Sequence, residues 1–299
     1  MENRYWQSDL AKECVPKDLE EDSGILQESR KSGIFFIETV RITTSGAARA
    51  VGKPIGTYLT VECGRADYLG AEERETLARI LCGELRGLAE KNCRRRVDHT
   101  FSVLLVGLGN PSLTADAIGP LTLRRLNATA HLKKQDPELF AALGCCAVSM
   151  LSPGVLGQSG MEAGEIISAV VQKSRPDLVV AIDALAARDL ERLATTIQLS
   201  DSGIVPGSGV GNHRCGLTRE TLGVPVLAIG VPTVVASSTL VWHTLAKAGI
   251  KELDRRLEAV LQNGNDFFVS LKECDVVTEQ VAMTLSRALS LAFLGNLEE

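Results

Sequence analysis

The sequence predicts an α/β fold, a three-layer, mostly parallel sheet with helices on both faces. Three observations predict it. Apolar runs of strand length alternate along the chain with longer segments of helical period. Two of the runs, residues 103–106 and 178–182, are apolar at every position, as strands covered on both faces are. Each of these two runs then delivers a carboxylate. The first breaks at Gly107 and Gly109 and reaches Asp116 through a short polar loop, and the second ends at Asp183. In open α/β sheets, sites collect at the carboxyl ends of the strands.

Taken in order, residues 1–32 carry charges of both signs without a period and read as an extended or partly disordered arm. No long Pro/Gly/Ser linker follows, so residues 33–299 are expected to form one domain. Residues 33–43 alternate well enough for a strand, and residues 56–63, rich in Thr, Tyr and Val, read as its partner. A short helix or turn ended by Pro54 joins them. Residues 71–92 form an amphipathic helix, with Leu77, Ile80, Leu81, Leu85 and Leu88 at helical spacing. The basic run Arg94-Arg95-Arg96 reads as a solvated link into the next strand, and substrate steering is its second reading.

After the glycine turn, residues 117–132 read as a helix with Arg124 and Arg125 outward, and residues 144–150 as a short strand. The stretch LSPGVLGQSGMEAGE is a glycine-rich loop, and residues 163–174 are a helix stopped by Pro176. The Asp183 strand is followed by a short helix and an extended piece. Residues 201–211, dense in glycine, form neither a helix nor a regular strand throughout. Residues 225–231 are a last buried strand, 232–248 a helix, 266–269 an edge strand and 278–294 a closing helix. Three strand ends then converge: residues 107–110, Asp183 and residues 230–233.

Composition removes several classes. The formal charge of −5 argues against a nonspecific nucleic-acid binder, which would present a basic face. No apolar run approaches the ~20 residues of a membrane span. The polar N-terminus does not read as a signal peptide, so a cytoplasmic protein is expected. The eight cysteines are scattered without CxxC spacing and are expected to be reduced.

Chemistry narrows next. GLGNPS fails the dinucleotide pattern G-x-G-x-x-G at Ser112, and no acidic residue ends a strand about 20 residues on. A nucleophile triad requires a histidine, and the chain has four: His99, His131, His213 and His243. His131 and His243 fall in helical patterns, which leaves His213, and no G-x-S-x-G elbow precedes a helix. A metal hydrolase could use Asp116, Asp183 and His213, and that alternative stays open. So does a carboxylate pair. Two aspartates from two strand ends can share one proton, the ionised one taking a proton from water and the protonated one donating to the scissile carbonyl. The competing structural reading has Asp116 capping the following helix and Asp183 paired with Arg188.

Longer blocks are more specific. GLGNPSLTADAIGP, VVAIDALAARDLERLATTIQLSDSGIVPGSGVGN and ETLGVPVLAIGVPTVV closely resemble the germination protease family of aspartic-type spore endopeptidases. PGVLGQSGMEAGEII resembles the same family's middle loop, and weaker similarity extends over GAARAVGKPIGTYLTVE and SDLAKEC. The resemblance is densest over residues 100–240. It implies an endopeptidase that degrades small acid-soluble spore proteins at germination, made in the forespore as a homotetrameric zymogen that removes a short N-terminal segment. It implies a fold similar to the hydrogenase maturation peptidases, and a location in the cytoplasm of the forespore or spore core.

The family's catalytic aspartates fall on Asp116, in TADAIGP, and Asp183, in AIDALAAR. No cofactor, nucleic acid or membrane is implied as a partner. Hydrogenase-type relatives bind nickel at comparable positions, which keeps the metal alternative, and an inactive binding relative is a third reading. The loops 153–160 and 203–211 are expected to shape the cleft or subunit contacts, with Glu162 a lesser site candidate. Two departures from the family stand out. The stretch 242–268 is short, and SDLAKEC lies so near the start that only residues 1–7 would be removed, between Gln7 and Ser8.

Overall fold

The computed structural model describes residues 8–16, 23–205, 216–250, 256–257 and 267–295. Its strands are β1 Ile25–Ser32, β2 Phe35–Ile42, β3 Gly56–Glu62, β4 Ser102–Gly107, β5 Ala147–Leu151, β6 Leu178–Ala186, β7 Thr196–Ser200, β8 Val226–Ala236 and β9 Phe268–Ser270. All belong to one nine-stranded sheet, ordered β1-β2-β3-β7-β8-β6-β4-β5, with β9 added to β8. The α/β class and the helical cover on both faces hold.

The two fully apolar runs explain the layering. Along β4, Val103 and Leu105 enter one core and Leu104 and Val106 the other; along β6, Val180 and Ile182 oppose Val179 and Ala181 in the same way. A strand whose residues alternate between two apolar layers must be apolar throughout. The first layer holds the helix Ala71–Cys93, through Leu77, Leu81 and Leu85, packed with the C-terminal helix Cys274–Leu289 through Val281 and Leu285. Arg287 joins the two helices at their surface by pairing with Glu75 at 2.9 Å. The second layer is the helix Ala163–Ser174, which buries Ile167 and Val171.

The sheet is mixed, which corrects the expectation of a mostly parallel one. Strands β5, β4, β6 and β8 are parallel, whereas β1, β2, β3, β7 and β9 all pair antiparallel. Connection length supplies part of the reason. Only Gly33 and Ile34 separate β1 from β2, and a parallel crossover requires a dozen residues or more. Within residues 1–32, read from sequence as an arm, Ile25–Ser32 is thus an edge strand and Ala11–Cys14 a helical turn.

Two helix expectations also change. Residues 117–132 form only the short helix Ile118–Leu123. The buried Thr129 accounts for its end, since its hydroxyl donates to Cys146 O at 2.7 Å and accepts from Val148 N–H at 3.0 Å, drawing the chain onto β5. The helix expected at 232–248 starts only at Ser237, because β8 continues through Pro232 to Ala236. Pro232 is tolerated in the strand where the β6–β8 register slips, between Leu185 and Ala186. Among the described residues no cysteine is in a disulfide, and no helix is long and apolar enough to cross a membrane.

Candidate active site

The carboxyl ends of β4, β6 and β8 meet around one cleft of about 590 Å³. Its wall includes Gly109 and Asp116 after β4, Asp183 in β6 and Thr233 in β8, so the three strand ends converge as the sequence predicts. Asp116 and Asp183 face the same space. Asp183 is buried, at 6% exposure, and Asp116 is half-buried.

Close backbone packing brings the β4 loop there. Gly119, just inside the short helix, lies so near the strand ends that a Cβ would stand 2.5 Å from Leu108 O and 2.6 Å from Ile182 O. Leu108 N–H itself donates to Ile182 O at 2.9 Å, fastening the exit of β4 to β6 one residue before Asp183. Gly109 adopts φ 108°, a left-handed conformation that favours glycine, and a Cβ there would stand 2.0 Å from Asp116 O. The turn therefore folds Asp116 against the strand end.

Hydrogen bonds then fix the carboxylates. Asp116 Oδ2 accepts the Asn110 N–H at 2.8 Å, and the Asp116 N–H donates to Leu113 O at 2.8 Å. The following helix begins after Ala117, which makes no side-chain cap bond, so Asp116 does not occupy the N-cap position that the structural reading gave it. Asp183 Oδ1 accepts the Ala184 N–H at 3.0 Å. Thr233 donates its hydroxyl to Ala115 O at 2.6 Å, tying β8 to the loop that carries Asp116. Gln158 donates to Asn110 Oδ1 at 3.0 Å, which joins the 153–160 loop to the same turn, and Gly154 and Val155 of that loop line the cleft. Apolar residues complete the wall, among them Leu113, Leu185, Val234 and Phe268.

Other expectations fare differently. Glu162 stands at the N-cap position of Ala163–Ser174 and is not part of the cleft wall. His213 and residues 206–211 lie outside the described residues, as do residues 1–7 and most of 251–266. Gly203, Ile204 and Val205 line a second cavity of about 300 Å³, with Lys53, Tyr58, Gln198 and Ser200. Burial pushes the Tyr58 phenol up to about 12, so it is a neutral donor near pH 7. The basic run precedes the amino end of β4, away from the cleft, and Arg95 pairs with Asp177 at 2.8 Å. Among the described residues no three His, Cys, Asp or Glu side chains gather into a metal-ligand cluster.

Sequence reasoning missed Asp9, which lines both cavities, and Ser270 and Cys274, which line the cleft. Asp9 is folded onto the end of β6: its N–H donates to Ala186 O at 2.9 Å, and its Oδ2 accepts the Ala186 N–H at 2.9 Å. The SDLAKEC block was the one signal in the sequence that pointed to this segment.

The germination protease family matches residues 5–299. A germination protease of Caldanaerobacter subterraneus subsp. tengcongensis is 38% identical over 317 residues, spanning 98% of this chain and 95% of the relative. One of Bacillus subtilis is 44% identical over 225 residues, spanning 75% of this chain and 60% of the relative. A solved NiFe hydrogenase maturation protease from Thermococcus kodakarensis is similar with a TM-score of 0.35 at 18% identity, covering 64% of this chain and 94% of that one. The family match over nearly the whole sequence and the identity of these relatives place this chain in the germination protease family.

Proposed function

We propose that this peptidase is an endopeptidase of small acid-soluble spore proteins, and that Asp116 and Asp183 activate the water that attacks the scissile bond. The observation that carries the reading is the meeting of two carboxylates, one from the turn after β4 and one from within β6, in one cleft of about 590 Å³. Family membership supports the protease activity, and the substrate follows from the resemblance of the sequence to that family.

In this reading one aspartate is ionised and its partner protonated, since like charges in one cleft resist ionising together. The ionised carboxylate takes a proton from water, and the resulting hydroxide attacks the carbonyl carbon. The protonated carboxyl donates to the carbonyl oxygen. Collapse of the tetrahedral adduct returns a proton to the leaving amine and breaks the C–N bond. The apolar walls at Leu113, Val155 and Phe268 hold the segment on either side of the bond and displace water. A homotetrameric zymogen cut between Gln7 and Ser8, in a spore-core cytoplasm, completes the proposal. An unshortened mass for the matured chain would remove the processing step.

The test is cleavage of a purified small acid-soluble spore protein, with and without EDTA, read by product mass. The expected result is cut fragments unaffected by EDTA. Asp116→Asn and Asp183→Asn are each expected to lower kcat by about 10³-fold while Tm moves by only a few degrees. Near-normal rates in either variant defeat the pair. Loss of cleavage with EDTA, restored by a divalent metal, moves the mechanism to metal-assisted hydrolysis.

A further inference from the structure

Beyond Asp183, β6 leaves its regular ladder where the β6–β8 register slips, between Leu185 and Ala186. Three carboxylates then receive backbone N–H groups of the stretch that follows. Ala184 donates to Asp183 itself at 3.0 Å, and Ala186 donates to Asp9 at 2.9 Å. Arg188 donates to Glu13 Oε2 at 2.7 Å and Asp189 to Glu13 Oε1 at 3.1 Å. One side chain thus holds two consecutive N–H groups of the turn, one on each oxygen.

Glu13 is itself held in place. It is 7% exposed and also accepts the Ser8 hydroxyl. Its helical turn is anchored to β7 by the Ala11 N–H, which donates to Gln198 Oε1 at 2.8 Å. Leu10 is buried in a cluster with Leu185, Ala187, Leu193 and Val235, and Leu185 lines the cleft two residues after Asp183. A buried carboxylate is costly unless its oxygens are hydrogen-bonded, and here the donors are backbone groups of the chain leaving the site.

We propose that Glu13 is a positioning residue of the active site. Its carboxylate fixes the turn after β6 and, through it, the main chain that carries Asp183 and donates to it at Ala184. Glu13 binds the main chain at Arg188 and Asp189, beyond the end of β6, so its action on Asp183 is indirect. The inference rests on the catalytic reading of Asp183. The chemistry demands a carboxylate: a glutamine offers one oxygen for two donors and turns its own NH₂ toward the second, and an aspartate is one methylene too short.

A residue that merely fastens the N-terminal segment would lower stability without changing the rate per folded molecule. The experiment therefore compares the full-length wild type with Glu13→Gln, Glu13→Ala and Asp183→Asn. Phe140→Ala, which opens a cavity in the small cluster with Cys145 and Ala147, serves as a matched loss of stability elsewhere. Cleavage of a small acid-soluble spore protein gives kcat and KM at one temperature, well below the Tm of every variant. Deuterium exchange of peptides covering 184–189 is read by mass.

The expected result for both Glu13 variants is a kcat lower by about 10- to 100-fold, since small misplacements of reacting groups have effects of that size. KM should stay within about threefold, as remote positioning changes the chemical step more than binding. Exchange at 184–189 should accelerate, and Phe140→Ala should keep the wild-type kcat. A wild-type kcat in Glu13→Gln, with Asp183→Asn inactive, overturns this inference alone, as does unchanged exchange at 184–189. A wild-type kcat in Asp183→Asn overturns the functional reading beneath it.

Discussion

The parallel strands β5, β4, β6 and β8 and the antiparallel strands β1, β2, β3 and β7 form one sheet, but they are stabilised differently. β6 is buried at almost every position, and its neighbours place side chains in both apolar layers. β1 is exposed along most of its length, and the salt bridges Lys12–Glu38, Lys12–Glu62 and Arg192–Glu62 surround β2 and β3. The parallel half, packed on both faces, has little freedom to adjust, and its carboxyl edge holds the cleft. In the antiparallel half exposure grows outward, from β7, buried at every position, through β3, buried at all but its ends, to the exposed β1, and this half holds the N-terminal segment that reaches back to β6. The cleft thus sits at the edge of the parallel half, with a fastening supplied by the segment packed on the antiparallel one.

Glycine substitution gives the largest contrast between the halves. Gly119→Ala would force a Cβ to within 2.6 Å of two strand carbonyls, Leu108 O and Ile182 O. Neither is a side chain that can rotate away, so the helix and strand ends must separate. The expected loss is about 3 kcal/mol of stability by urea unfolding, with cleavage abolished because Asp116 and Asp183 move apart. Gly33→Ala, at φ 60° in the β1–β2 hairpin, meets no atom within 4 Å. There only the left-handed conformation is penalised, by about 1 kcal/mol, and cleavage should be unchanged. A milder effect at Gly119 than at Gly33 would break the comparison.

The same contrast explains what the sequence made legible. A strand buried on both faces must be apolar throughout, so β4 and β6 stand out, and the carboxylates that follow them are conspicuous. β1 has no such signature, because its exposed residues follow no pattern. The N-terminal segment is harder still. Asp9 meets Ala186 177 positions along the chain, and Glu13 meets Arg188 175 positions along. No local period encodes such contacts. The truncated helix after Asp116 was obscured for a related reason, since Thr129 ends it by bonding to β5, which is formed later in the chain.

Single hydrogen bonds give the intermediate contrast. Thr233→Val removes the donor to Ala115 O while keeping the shape of the side chain, and leaves that carbonyl without its 2.6 Å partner from β8. The expected destabilisation is about 1–3 kcal/mol. Because the bond holds the loop of Asp116, kcat should fall by about tenfold or more. Lys12→Met removes salt bridges in the antiparallel half, whose side chains keep partial exposure. Its expected loss is about 1 kcal/mol or less, with kcat per folded molecule unchanged. Equal effects on kcat would show that the halves are coupled as one unit.

The smallest effect is a dependence on pH that begins in the antiparallel half. Burial by itself raises the Glu62 carboxyl, but the bonds from Lys12 and Arg192 outweigh it and hold its pKa below the ordinary 4.5. A carboxyl with a depressed folded-state pKa is ionised in the native protein where the unfolded chain has already bound a proton. Its contribution is therefore fully present above about pH 5 and is lost as pH falls through the folded value. With Glu62 about a third exposed, solvent screens the pair and the contribution is below about 1 kcal/mol. Thermal unfolding should give a level Tm from pH 7 to 5 and a decline below it, with a shallower decline in Glu62→Gln. Amide exchange at pH 4 should quicken in β2 and β3 before β4 and β6, because Glu38 and Glu62 pair with cations within β2 and β3 themselves, whereas the Arg95–Asp177 pair lies only at the amino end of the buried β4–β6 ladder. Simultaneous acceleration in all four strands would mean that acid opens the sheet as a single cooperative unit and that the difference in burial and ion pairing between the halves does not extend to their unfolding.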